Sequence, residues 1–204
     1  MGSVVLEGSL ELPARPRGVV AFSHGSGSGR HSPRNRFVAA QLRERGLATL
    51  LLDLLTPEED RDPEMRFDIA LLSSRLADAV HFLAAGPRTR ALPVGLFGAS
   101  TGAASALRVA AAMPQVVKAV VSRGGRPDLA GDKALARVQA PTLLVVGGED
   151  SGVIELNEAA RDAMRCTREL VLVPGATHLF EEPGTLEEVA RLAAEWFSRH
   201  LASP

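Results

Sequence analysis

Short uninterrupted apolar runs alternate along this chain with longer stretches in which apolar residues return every three or four positions. The runs read as strands buried on both faces, and the periodic stretches as helices with one buried face. Residues 4–12 alternate loosely and predict one or two short edge strands before the turn-rich Pro13-Ala14-Arg15-Pro16-Arg17-Gly18. Val19–Ser23 predicts the first buried strand. It stops at His24-Gly25-Ser26-Gly27-Ser28-Gly29, a loop whose glycines suit close approach of backbone to another group. Ser32 as N-cap, with Pro33 in the first turn, opens a helix through Phe37, Val38 and Leu42 that Gly46 stops. Ala48–Leu52 is the next strand and ends at Asp53. A polar stretch with Pro57 and Pro63 then leads to a helix that places Ile69, Leu72, Leu76, Ala79, Val80 and Leu83 on one face before Gly86-Pro87.

A further strand ends in Gly98-Ala99-Ser100-Thr101-Gly102 and passes without a linker into an alanine-rich helix. Strands follow at residues 119–122, 142–146 and 170–173. A short helix near 129–138 and a helix with Val153, Leu156, Ala160 and Met164 on one face separate them. The last helix, capped by Thr185 with Glu188 three residues on, buries Leu186, Val189, Leu192, Trp196 and Phe197. Single helices between strands, with right-handed crossovers, predict an α/β fold: a mostly parallel, doubly wound sheet covered by helices on both faces. Ligands of such sheets bind at the carboxyl ends of the strands. The glycine loop, Ser100, Arg123 and Asp150 fall there, with His178 just beyond Val173.

Composition narrows the class. At 204 residues, 46% hydrophobic and 23% charged, the chain supports one sizeable core, and residues 1–204 read as a single domain. A formal net charge of −1 gives no global attraction to nucleic acid or to an anionic membrane. The one cysteine, Cys166, has no partner for an intramolecular disulfide and reads as a helix-end residue. With no signal-type apolar segment at the N-terminus and no run of membrane-spanning length, the expected location is the cytoplasm.

The strand, sharp turn and helix around Ser100 form the setting of a nucleophile elbow. Such a turn strains the serine backbone and tolerates little bulk nearby, which Gly98, Gly102 and Ala103 allow. A serine hydroxyl needs an imidazole to take its proton, and the imidazole needs a carboxylate to fix its tautomer. Asp150 at the end of TLLVVGGED and His178 in VPGATHLF supply both, each just past a strand. Glu149 is the alternative acid, though the first residue after a Gly-Gly turn more often faces away. His24 reads as a hydrogen-bonded loop residue. The backbone N–H of Thr101 at the helix start and that of Ser26 in the glycine loop are the expected oxyanion donors. The glycine loop lacks the Lys-Ser/Thr end of a P-loop and the spacing of a dinucleotide fingerprint, and the scattered histidines lack metal-ligand spacing. No cofactor and no metal are expected.

These residues carry a resemblance. His24-Gly25, the elbow, Asp150 and His178 resemble the α/β-hydrolase superfamily over nearly the whole chain, from about residue 19 to 201. GASTGAASAL, SRGGRPDLA and GATHLFEEPG look more narrowly like bacterial dienelactone-hydrolase-like proteins. The resemblance implies a minimal α/β-hydrolase fold and hydrolysis of small-molecule esters or lactones. Dienelactone hydrolases proper carry a cysteine nucleophile where this chain has Ser100, and some relatives are fused to a phosphoribosyltransferase, for which 204 residues leave no room. Where many relatives insert a helical lid, residues 123–141 hold at most one short helix, so an open mouth is expected. Arg123 and Arg126 leave a strand end beside the elbow and match a substrate anion, with Arg30 and Arg34 across the glycine loop; the competing reading is plain solvation or a pair such as Arg126 with Asp128. The two functional readings are a serine hydrolase of small esters or lactones, with anionic and neutral substrates both left open, and a non-catalytic binding protein on the same fold.

Overall fold

The apolar runs become strands because the sheet is covered on both sides. In the computed structural model, which describes residues 4–201, the exposed edge strand β1 (Gly8–Glu11) is followed by β2 (Val19–Ser23), β3 (Ala48–Leu52) and β4 (Val94–Ala99), all three buried along their whole length. β5 (Val117–Arg123) is buried except at Lys118, β6 (Thr142–Gly147) is fully buried, and β7 (Arg168–Val173) is the more exposed far edge. The order is β1-β3-β2-β4-β5-β6-β7; β1 runs antiparallel to β3 and every other neighbouring pair is parallel. After β2 the chain moves outward to β3 and then returns to place β4 on the other side of β2. The carboxyl ends of β2 and β4 therefore flank the switch point, where a crevice opens in such sheets.

The helices in chain order are α1 (Pro33–Glu44), α2 (Pro63–Arg66), α3 (Ile69–Ala85), α4 (Thr101–Ala112), α5 (Asp132–Leu135), α6 (Ser151–Ala163) and α7 (Thr185–His200). Alternation along each strand divides the core into two layers. Leu50 and Leu96 meet Leu72, Leu76 and Leu83 of α3 and Leu107 of α4, while Leu51 and Phe97 meet Leu42 of α1 and Phe197 of α7. Ser32 caps α1 by accepting the Asn35 N–H. Among the described residues no helix is long and apolar enough to cross a membrane.

Three local expectations change. Thr185 does not cap α7: the cap is Gly184 at φ 83°, Thr185 is the first helical residue, and its hydroxyl donates to the Glu182 carbonyl at 2.7 Å. Entry through a left-handed glycine moves the helix start by one residue, and Glu188 pairs with Arg191 instead of reaching back. The single short helix near 129–138 is a 3₁₀ turn over Pro127–Ala130 and then α5, interrupted by Gly131 at φ 83°. Residues 59–66 also coil, as a 3₁₀ turn over Glu59–Arg61 and as α2, within a segment that reads from sequence as a polar connection.

The loops after β6 and β7 press together backbone to backbone. A Cβ on Gly147 would lie 2.4 Å from the Ala176 carbonyl oxygen and 2.6 Å from that of Thr177. Neither is a flexible side-chain tip, so a methyl group there must displace one loop. Gly147→Ala should lower stability by about 1 to 3 kcal/mol in urea unfolding, whereas a variant as stable as the parent would show that the two loops part freely.

Candidate active site

Ser100 sits between β4 and α4 at φ 51°, ψ −122°, a conformation that costs a non-glycine residue about 1 to 3 kcal/mol. Neighbours hold it there. Its N–H donates to the Arg123 carbonyl at 3.2 Å, and its own carbonyl accepts the N–H groups of Ala103 at 3.1 Å and Arg126 at 3.0 Å. The start of α4 lies directly under the end of β2: a Cβ on Gly102 would stand 2.1 Å from the Ser23 carbonyl oxygen. The elbow glycine thus lets the helix start approach the glycine loop. Thr101, first in α4, has an N–H without an acceptor inside the helix, at the end where the helix dipole favours negative charge.

The candidate acid and base come from the ends of β6 and β7, which neighbour each other in the sheet. His178 Nδ1–H donates to Asp150 Oδ2 at 2.7 Å, which leaves Nε2 as the proton-accepting nitrogen. Asp150 stands at the N-cap of α6 but makes no capping bond, so its carboxylate is given to the imidazole. Glu149 is exposed, and its N–H is held by the Ala176 carbonyl. Of the two candidate acids, Asp150 is the one placed against His178. The His178 loop is tied by Glu182, which accepts from the Thr177 hydroxyl at 2.6 Å and the Thr177 N–H at 3.1 Å; the Thr177 hydroxyl bond foremost holds the Glu182 carboxyl below the usual range. The imidazole lies over Gly124, 3.6 Å from where a Cβ would stand, and Gly124 follows the residue that clamps Ser100. Among the described residues Ser100 Oγ has no hydrogen-bond partner in this resting arrangement; such bonds commonly tighten only around a substrate.

On the other side of Ser100 the glycine loop is fixed by His24. Its Nδ1–H donates to the Gly25 carbonyl at 2.9 Å and its Nε2 accepts the Leu54 N–H at 3.0 Å, so the buried ring joins the ends of β2 and β3. Burial, the largest influence, pushes its pKa below the ordinary histidine value. The Ser26 N–H donates to Thr101 Oγ1 at 3.0 Å, so this amide faces the elbow with a side-chain hydroxyl as its present acceptor. Further along, Arg30 pairs with Asp53 and Glu7, and its N–H reaches Asp53 Oδ1 at 2.7 Å.

The arginines separate clearly. Arg126 places its Nε and Nη2 on the two oxygens of Asp128, at 2.9 and 2.7 Å. Arg34 reaches Glu181 at 3.0 Å, joining α1 to the His178 loop. Arg123 is 7% exposed and, among the described residues, its side chain has no acidic partner and no hydrogen bond; its Nε is buried and unpaired. Its guanidinium stands 5.8 Å from the centre of the Phe180 ring. Burial, and then the proximity of Arg34, lower its pKa to about 10, which still leaves it charged at neutral pH.

Three contributions are absent from the sequence reading. The Thr101 hydroxyl carries no motif. Phe180 holds φ 55° beside Arg123, visible only once the loop is built. Buried Asn157 donates to the Gly125 carbonyl at 3.0 Å and so ties α6 to the turn behind Ser100; a lone asparagine in an amphipathic helix is its only signal. Cys166 lies beyond α6, its thiol pushed up by burial and 3.9 Å from Thr142 Oγ1.

Residues 6–202 match the Dienelactone hydrolase family. The chain belongs to that family. A crystal structure of a dienelactone hydrolase from Anabaena variabilis superposes with a TM-score of 0.95 at 55% identity, covering 98% of this chain and 94% of that one. Est1E from Butyrivibrio proteoclasticus shares the fold at 18% identity, with a TM-score of 0.81 over 97% of this chain and 95% of its own. Two Mycobacterium tuberculosis proteins, from strains CDC 1551 and H37Rv, each named "Putative phosphoribosyl transferase", are 61% identical over all 204 residues. The chain spans 46% of the length of these curated relatives.

Within this dienelactone hydrolase family domain, His24 makes stability depend on pH. Its folded pKa lies below the unfolded value of about 6.5, so its contribution is complete above that value and is lost as pH falls through the lowered one. The urea midpoint should therefore drop on acidification from about pH 6.5. His24→Asn should be less stable but show a flatter dependence over that window; an unchanged slope would remove His24 as its source.

Proposed function

We propose that this protein is a serine hydrolase that cleaves small ester or lactone substrates through an acyl-enzyme intermediate. The observation that carries the reading is the 2.7 Å bond from His178 to Asp150 at the strand ends beside a serine held at φ 51°. In the first half-reaction His178 Nε2 takes the proton of Ser100 as Oγ attacks the carbonyl carbon. The charge on the carbonyl oxygen meets the Thr101 and Ser26 N–H groups, and collapse expels the alcohol oxygen, which receives the proton from His178. In a lactone the expelled oxygen stays tethered to the acyl group. Water, deprotonated by His178, then releases the acid and restores Ser100.

Arg123 supports an anionic substrate. A buried guanidinium without a carboxylate is costly, and a substrate carboxylate would supply the missing partner in a planar fork. Arg126 is already engaged by Asp128, which leaves Arg123 as the better placed of the two. A cleft of about 630 Å³ lined by His24, Ser26, Arg34 and Thr56 adjoins the glycine loop, while Ser100, His178 and Arg123 do not line it. The reaction needs no metal or cofactor, and the proposal is of one hydrolase domain acting in the cytoplasm. The transferase name of the curated relatives describes proteins more than twice this length, and no transfer chemistry is assigned to this chain.

A fluorophosphonate probe should label Ser100, and short-chain nitrophenyl esters should be hydrolysed. Ser100→Ala should abolish labelling and lower kcat by about 10³-fold or more while leaving the unfolding curve unchanged. Asp150→Asn should also cost heavily, and a larger loss in Glu149→Gln would reassign the acid. A protein that binds small acids but neither labels nor turns over would favour the non-catalytic reading.

The anion site is tested by substrate pairs. Arg123→Ala should reduce kcat/KM for carboxylate-bearing esters by about 1.5 to 3 kcal/mol and leave neutral esters nearly unchanged. Equal losses on both would make Arg123 a packing residue.

A further inference from the structure

We infer that the Thr101 side chain is a positioning residue for the oxyanion site, holding the glycine loop so that the Ser26 amide faces the oxygen of the carbonyl that Ser100 attacks. This rests on the serine-hydrolase reading. The residue after the nucleophile then has two separate tasks: its backbone N–H is one oxyanion donor, and its hydroxyl aims the other.

The geometry supports both tasks. Thr101 is buried, 3% exposed, and its Oγ1 accepts the Ser26 N–H at 3.0 Å across 75 residues of chain. The loop closes on the elbow at the same place, since a Cβ on Gly25 would stand 3.0 Å from Ser100 Cβ. On its far side the loop is held through Gly25, whose carbonyl accepts from His24 Nδ1 and from the Ser28 N–H at 3.1 Å. Ser26 lies between these supports, and its only hydrogen bond from the amide goes to the threonine.

The choice of acceptor matters energetically. A hydroxyl is a neutral acceptor, so it keeps the amide ordered in the resting enzyme without binding it strongly. An oxyanion forms hydrogen bonds roughly twice as strong as neutral ones, so the N–H moves to the substrate oxygen as charge develops. The gain is realised in the transition state and not in the substrate complex, and it therefore appears in kcat.

Thr101→Val keeps the shape and removes the acceptor, whereas Thr101→Ser keeps the acceptor. With nitrophenyl acetate, Thr101→Val should lower kcat at least about tenfold with KM within about twofold, the full loss of an oxyanion donor being 10² to 10³. It should weaken binding of a trifluoromethyl ketone, whose adduct carries the oxyanion, while leaving affinity for the product acid unchanged. Thr101→Ser should restore kcat to near the parent value. In NMR exchange experiments the Ser26 amide should lose protection in Thr101→Val and keep it in Thr101→Ser. If the parent protein labels with fluorophosphonate but Thr101→Val retains its kcat, or Thr101→Ser is as slow as Thr101→Val, the assignment to Thr101 fails alone. A parent protein that neither labels nor hydrolyses the ester overturns the hydrolase reading, and this role with it.

Discussion

The whole site depends on backbone segments that pack closer than any side chain would permit. The start of α4 lies under the Ser23 carbonyl at Gly102, and the turn after β6 lies against the Ala176 and Thr177 carbonyls at Gly147. The first contact presses the glycine loop onto the Ser100 turn, and the second presses the Asp150 loop onto the His178 loop. Ser100 is kept in its unfavourable conformation by three backbone hydrogen bonds to β5, to α4 and to the turn after β5. Side-chain chemistry is thus set by main-chain geometry, which explains why glycine stands at both contacts.

Much of this could be read from the residues. The strands at Val19–Ser23 and Ala48–Leu52 were visible because strands buried on both faces are continuously apolar, and the helices because their apolar residues recur on one side. Ser100, Asp150 and His178 could be nominated because each follows a strand whose end lies on the same rim of the sheet. The break between the Pro127–Ala130 turn and α5 and the displaced start of α7 were not legible, since they depend on the left-handed Gly131 and Gly184, and a glycine in sequence does not disclose its φ.

Charge pairing was the least legible feature. Arg123 ends β5 and Arg126 stands three residues on, and from sequence both were candidates for a substrate anion. One finds Asp128 two residues away, a local pair; the other is buried beside the Phe180 ring without an acidic partner among the described residues. The local Arg126–Asp128 pair was one of the readings the sequence offered, whereas the burial of Arg123 comes from long-range packing that no local pattern encodes. The same holds for Thr101, whose partner Ser26 is distant in the chain.

The separations in sequence have a consequence for how the molecule matures. Ser26 meets Thr101 across 75 residues, Asp150 meets His178 across 28, and Arg34 meets Glu181 across 147. Parallel pairing of this kind forms late, because the intervening loops must close before any contact repays them. A chain with its helices formed but β2, β4 and β6 not yet aligned would hold every residue of the proposed site without the site itself. If the serine-hydrolase proposal holds, nascent or misassembled molecules would be silent, and reaction at Ser100 would report completion of the sheet.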